Sequence, residues 1–364
     1  MLAPRENMAP PAIAAVEPPR VAVKPRAFPA AAQPRTVVTY ESFYGLNEKP
    51  FAPRADLRFL YHSTAHDRVL QDLLSSIGNR HAVAVFTGPA DIGKTMLCRA
   101  LVDQLDRRTI VSFVSDSVPR SAEDLLKTML VDFGVISSED VESGSLAAAS
   151  RESLSRALSG FLASLTVLQA TALLIVDEVH ALPADVLREL RRLSDGAASG
   201  HPLQLVLVGE PRLTRELRSN DLRAIDERVT LRVELGPLDA DEVPGYIGHR
   251  LAVAGSGERV GFSDAAVSRI VALARGVPGV INRICDRSLT LGYNTSASLI
   301  DGDVVDQSAQ QLGLSPPEGS DSWRDRAMIV VLMIALMLAG AAGASWVFRE
   351  PLGRALAHFS SGRG

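Results

Sequence analysis

The sequence predicts an α/β domain followed by an all-helical segment and a single membrane-spanning helix. Three observations carry this. Apolar runs at 81–87, 109–114, 172–176 and 203–208 have strand length and are separated by stretches of helical periodicity. From Leu238 onward the periodicity is helical only. Residues 327–348 then run 22 positions without a charge.

A chain of 364 residues holds one large domain, or one domain plus a smaller one. A hydrophobic content of 46% supports a core, and a net charge of −4 argues against general nucleic-acid binding. The two cysteines, Cys98 and Cys285, lie far apart inside helical patterns. That excludes a disulfide framework and a cysteine metal site, and both are read as reduced packing residues of a cytosolic domain.

In chain order, residues 1–37 are rich in Pro and Ala, with Arg5, Arg20, Lys24, Arg26 and Arg35 interspersed and no apolar run of signal-peptide length. Prolines deny both helix and sheet, so a disordered arm is expected. The α/β domain is placed at 38–237. It opens with an aromatic and proline-bearing stretch that leads into a helix containing His66 and 70–77. Phe51 and Tyr61 in this stretch are candidate walls for an adenine ring, which needs apolar faces.

The strand at 81–87 meets Gly88-Pro-Ala-Asp-Ile-Gly-Lys-Thr95, a G-x-x-x-x-G-K-T loop, and a helix is expected over 96–106. Gly88 and Gly93 let the backbone turn tightly. The N–H groups of Pro89's successors Ala90, Asp91, Ile92, Gly93, Lys94, Thr95 and Met96 can then converge on an anion at the positive end of a helix. Lys94 reaches the β- and γ-phosphates of ATP, and the Thr95 hydroxyl is a ligand for Mg²⁺. A strand at 109–114, a helix from Ser121 to about Phe133, a polar loop at 136–144 and a helical pattern at 154–168 follow.

The next apolar strand runs straight into Asp177-Glu178, about 80 residues after the phosphate loop. At that spacing Asp177 is the candidate Mg²⁺ ligand, and Glu178 the candidate that polarises the attacking water. His180 is read as a structural or relay residue, because no second His stands at ligand spacing. A helix at 183–193 carries Arg188, Arg191 and Arg192. The strand at 203–208 ends in Gly209-Glu210-Pro211, and Arg215, Arg218, Arg223 and Arg228 come in quick succession. Helices at 240–253, 263–275, 281–293 and 301–312 make a small lid over 238–313. A linker at 314–326 precedes the apolar run at 327–348, which at 1.5 Å per residue spans roughly 33 Å as a helix, and a short tail at 349–364 follows it. Trp323 and Trp346 suit the two interfaces of such a span.

The region from about Tyr40 to Leu312 resembles the AAA ATPases of the general secretion pathway A type (ExeA/GspA-like), and the related ATPases found with exosortase and exopolysaccharide systems. The residues that carry the likeness are Tyr44-Gly-Leu with Asn47 and Pro50-Phe51, Phe59-Leu-Tyr61-His-Ser63 with His66, and the phosphate loop with Cys98-Arg99. Asp177-Glu178, Val208-Gly-Glu-Pro211, Arg228, Tyr246-Ile with His249-Arg-Leu251, and Gly276-Val-Pro278 with Ile281-Asn282 complete it. The resemblance implies a P-loop NTPase of the AAA kind, a parallel αβα sandwich with a C-terminal helical lid. It implies ATP hydrolysis in a homo-oligomer, with Arg228 at the subunit edge as a catalytic arginine finger for a neighbour's γ-phosphate.

Two positions depart from that pattern. Gly279 stands where the family usually has a nucleotide-sensing arginine after Gly-x-Pro, and Arg283, one helical turn further on, is the candidate to substitute for it. Glu210 stands where a neutral amide is more usual. The expected protein is an ATPase anchored in the bacterial inner membrane by one span, its nucleotide domain in the cytoplasm. It would work with envelope secretion or polysaccharide-export proteins, and DNA is not expected as a partner. The alternatives are a nucleotide-dependent DNA-binding or transposition regulator and a nucleotide-gated scaffold that barely hydrolyses.

Overall fold

Five parallel strands in the order β2-β3-β4-β1-β5 form the central sheet: β1 (Val83–Thr87), β2 (Thr109–Val114), β3 (Thr171–Val176), β4 (Leu203–Gly209) and β5 (Val229–Glu234). The computed structural model describes residues 39–115, 118–144, 149–198, 202–219, 222–255 and 259–314, and isolated helical positions between 330 and 337. The structure divides between Val38 and Thr39, and the expected arm at 1–37 lies outside the described residues.

β1, β3 and β4 are buried along nearly their whole length because helices cover both faces of the sheet. Alternate residues serve opposite cores. Val83, Val85, Leu174, Leu205 and Leu207 face one cluster, and Ala84, Phe86, Leu173, Ile175 and Val206 the other. In chain order the helices of this part are α1 (Tyr40–Tyr44), α2 (Thr64–Gly78), α3 (Lys94–Asp103), α4 (Ala122–Asp132), α5 (Ser138–Glu142), α6 (Arg151–Leu168), α7 (Ala184–Ala198), α8 (Leu213–Leu217) and α9 (Arg223–Asp226). The first face is covered by α4, α6 and α7, through residues such as Leu126, Leu162 and Leu190, and the second by α2 and α3, through Leu73 and Leu101.

Between α6 and α7 the carboxylate of Glu189 is fully buried. Arg151 and Arg192 both donate to it, each at 2.5 Å, so two guanidinium groups compensate one desolvated charge. The helical segment after the sheet comprises α10 (Glu242–Val253), α11 (Asp264–Ala274), α12 (Pro278–Asn294) and α13 (Gly302–Gln311). Its core takes in residues from the start of the described chain: Tyr40, Tyr44, Phe51 and Phe59 pack with Tyr246, Ile247, Ile281 and Leu289.

Several expectations change. The stretch at 136–144 is not all loop, because Ser137 accepts the Asp140 N–H at 3.1 Å and caps the short helix α5. β5 and a two-stranded parallel pair, β6 (Gly261–Phe262) with β7 (Leu299–Ile300), are additional strands.

The single-pass, inner-membrane placement is overturned. Among the described residues no helix is long and apolar enough to cross a membrane. A crossing takes about 20 consecutive apolar helical residues. The longest described helix, α6, has 18 and carries Arg151, Glu152 and Arg156. Within 327–348 the described positions are Val330, Val331, Met333, Ile334 and Met337, and the rest of that run lies outside the described residues, as do 315–326 and the tail. An uncharged run states what its side chains prefer; it does not state that a continuous helix exists.

Candidate functional site

β3, β4 and β1 are neighbours, so the loops that leave their C-terminal ends open onto one edge of the sheet. That edge and the helical segment enclose a cleft of about 640 Å³, within the range of small-molecule sites.

The loop from β1 to α3 forms its floor. Gly88 donates its N–H to the Gly209 carbonyl at 3.2 Å, which ties the loop to β4. A Cβ at Gly88 would stand 2.9 Å from the Leu235 carbonyl oxygen, so the backbone passes where no side chain fits. Gly93 has φ +104°, left-handed geometry that glycine adopts without strain, and the chain enters α3 at the next residue. Ala90 to Met96 all line the cleft, whereas Gly88 and Pro89 do not. The Lys94 ammonium donates to the carbonyls of Gly88 (3.0 Å) and Pro89 (2.8 Å). Burial holds the Lys94 ammonium below its ordinary pKa, against the opposing pull of Asp177, Glu210, Glu178 and Asp91.

The Thr95 hydroxyl donates to Asp177 Oδ2 at 2.5 Å, so residues 82 apart in sequence meet at the floor. Asp177 is buried, and its other oxygen accepts the Glu178 N–H at 2.9 Å. A hydroxyl and a carboxylate oxygen side by side are a hard-oxygen donor pair suited to Mg²⁺. Glu178 lies exposed in the cleft with φ +51°, a conformation uncommon for a non-glycine residue. Glu210 also reaches the cleft but is not a bare charge, because Arg212 Nε stands 3.2 Å from Oε2. His180 lines the cleft, and its buried Nδ1 has no hydrogen-bond partner among the described residues.

Arg228 is not brought to this floor. Its Nη2 pairs with Asp195 at 2.7 Å, its Nη1 donates to the Ala224 carbonyl, and it does not line the cleft. Phe51 and Tyr61 do line it, and both also pack into the helical core: Phe51 meets Phe262 edge-on at 6.3 Å and Tyr61 meets Tyr246 edge-on at 5.9 Å.

The structure also places residues that the sequence singled out without a role, His66, Arg250 and Asn282, and Arg283, the expected stand-in for the missing lid arginine. His66 is buried at the start of α2. Its Nδ1 lies 2.7 Å from Ser63 Oγ, and its ring hydrogen-bonds the Ile92 backbone of the phosphate loop. Burial lowers its pKa and favours the neutral ring. The Ser63-x-x-His66 spacing is a helix-cap signal, since Ser63 Oγ also accepts the His66 N–H at 3.2 Å. Arg250 is buried and donates to the carbonyls of Pro50 (2.6 Å) and Ala52 (3.3 Å) and to the Tyr246 hydroxyl (3.1 Å). Its guanidinium also lies 4.9 Å from the centre of the Phe59 ring. Asn282 accepts from the Tyr246 hydroxyl at 2.8 Å, and Arg283 pairs with Asp91.

Comparison with known proteins agrees with this geometry. Residues 77–217 match the family described as AAA domain. General secretion pathway protein A of Aeromonas hydrophila is 30% identical over 304 residues, which is 83% of this chain and 53% of that protein. The chain thus spans about half the length of that relative.

Among solved structures, Cdc6p from Pyrobaculum aerophilum superposes with a TM-score of 0.56 at 16% identity, covering 72% of this chain and 70% of that one. The Aeropyrum pernix ORC2 protein gives 0.54 at 12%, covering 73% and 71%, and Drosophila ORC bound to DNA gives 0.55 at 14%, covering 80% and 70%. At such identities the likeness is one of fold. The chain carries an AAA domain on a parallel α/β sheet and is a relative of General secretion pathway protein A.

Proposed function

We propose that the chain binds ATP with Mg²⁺ in this cleft, hydrolyses it, and works as a homo-oligomer with secretion components of the cell envelope. The observation that carries the reading is the meeting of the Thr95 hydroxyl with the Asp177 carboxylate beside the Lys94 loop. In this reading the N–H groups of Ala90 to Met96 bind phosphate oxygens, and the Lys94 ammonium exchanges its two loop carbonyls for them. Thr95 and Asp177 hold the metal. The ion, when bound, supplies charge neutralisation to the β- and γ-phosphate oxygens. Glu178 accepts a proton from the attacking water and orients it. Arg228, turned away from its own cleft, serves the cleft of a neighbouring copy. The link to secretion rests on the relative's name and on the share of its length that this chain matches.

The test is ATP turnover by the full chain as a function of protein concentration. Specific activity should rise with concentration. Glu178→Gln should keep ATP binding and lower turnover by about 10²–10⁴-fold, the usual worth of a positioned general base. Arg228→Ala should remove the concentration dependence. Turnover that is independent of both residues would sink the reading.

A further inference from the structure

The helical wall of the cleft meets the phosphate loop at Asp91. Three contacts meet there. The Gly279 N–H, at the start of α12, donates to the Asp91 carbonyl at 2.9 Å. A Cβ placed on Gly279 would lie 2.6 Å from Asp91 Cβ and 3.0 Å from its carbonyl oxygen, so α12 approaches as closely as a bare backbone allows. One turn further along α12, Arg283 Nη1 donates to Asp91 Oδ2 at 2.7 Å. Asp91 itself sits at φ +59° in the middle of the loop, and both it and Arg283 line the cleft.

We propose that Asp91 and Arg283 form an exchangeable latch. The phosphate-loop carboxylate holds the lid arginine until a nucleoside triphosphate takes it, and Arg283 then becomes the lid's phosphate ligand. This rests on the nucleotide reading above. Three considerations support it. The ion pair is about half exposed on both sides (49% and 53%), and pairs of that kind are weak and cheap to break. A phosphate carries more charge than a carboxylate and accepts the guanidinium fork in two parallel bonds, so it competes well for Arg283. The Gly279–Asp91 contact keeps the start of α12 against the loop, so Arg283 can change partner by a side-chain movement alone. Asp91 therefore opposes binding twice, by retaining Arg283 and by presenting a like charge to the incoming phosphates.

The experiment uses the full chain and measures equilibrium binding of ATP and ADP to wild type, Arg283→Ala, Arg283→Lys, Asp91→Asn and the Asp91→Asn/Arg283→Ala double variant. Amide exchange of residues 279–283 is followed alongside, and thermal melting checks each fold. Arg283→Ala should weaken ATP about tenfold, as for one lost charge-assisted contact, and ADP less. Arg283→Lys should recover part of this. Asp91→Asn should tighten ATP severalfold, and the double variant should bind ATP more tightly than Arg283→Ala but more weakly than Asp91→Asn, because the like charge is gone and so is the arginine. Without nucleotide, amide exchange across 279–283 should stay near the wild-type level in both single variants, because the Gly279–Asp91 backbone contact is left in place, and ATP should add protection in Asp91→Asn but not in Arg283→Ala.

If Asp91→Asn weakens ATP, Asp91 positions the arginine and does not compete for it, and the latch is wrong. Equal losses of ATP and ADP in both single variants would mean a purely structural tie, which also overturns it. If wild type melts as a folded protein yet binds neither nucleotide, the underlying nucleotide reading fails, and the latch with it.

Discussion

The two walls of the cleft are built in opposite ways. The phosphate wall comes from the ends of adjacent strands, and its groups are placed by backbone: a strand, a six-residue loop and a helix in unbroken sequence, with Asp177 one step beyond β3. The lid wall is assembled from stretches near 50–61, 238–250 and 278–286, tied together by side chains. The charge at its centre, Arg250, is hydrogen-bonded by neutral carbonyls and one hydroxyl and faces aromatic rings, with the Asp56 carboxylate near enough to feel its charge. A wall made of contiguous backbone survives the loss of one side chain; a wall made of side chains depends on its hub.

The sharpest way to break the comparison is Arg250→Ala. Removing the fork leaves the Pro50 and Ala52 carbonyls without their donor, and a loss of about 2–4 kcal/mol in urea unfolding is expected. Arg250→Lys should not restore it, since a single ammonium cannot reproduce the three-way fork. If Arg250→Ala unfolds at the wild-type midpoint, the hub description fails.

A smaller effect separates the walls through their glycines. Gly88→Ala drives a Cβ against the Leu235 carbonyl, and should lower stability by about 1–3 kcal/mol because the sheet backbone has to yield. Gly279→Ala meets a harder overlap on paper, yet α12 can withdraw from the loop. It should change nucleotide affinity more than melting temperature. Calorimetry and binding on the two variants would reveal a reversal of this order.

The smallest effect concerns His66. Its folded pKa is lowered from its ordinary 6.5, so the unfolded chain binds the proton more readily. The stability it contributes is therefore complete above pH 6.5 and is lost as pH falls through the folded value. A plot of melting temperature against pH should drop on the acid side of 6.5, and His66→Gln should flatten that part of the plot.

The same contrast explains what was legible in the sequence. The strand–loop–helix around Gly88 to Thr95 and the strand into Asp177-Glu178 are local, so pattern alone placed them. β5 was not seen. It is an edge strand whose residues are mostly half-buried or exposed, with Arg232 and Glu234 in it, and it follows a run of arginines that drew attention to charge. The lid wall was opaque for a different reason: Tyr246, Arg250, Asn282 and Arg283 become a surface only when the helices fold against residues 50–61. Gly279 looked like a missing function at the level of sequence, and the structure gives it a physical cause, since no side chain fits between α12 and Asp91. The membrane placement read from the uncharged run at 327–348 is overturned, because no described helix is long and apolar enough to cross a membrane.

The parallel sheet has a practical consequence. Strands of five to seven residues at roughly 3.3 Å each put the turns that enter them about 16–23 Å from the edge that bears the cleft. Arg107, exposed in the turn before β2, lies at that far end. A dye, an affinity handle or a crosslinker attached there would stand clear of the cleft at the other edge.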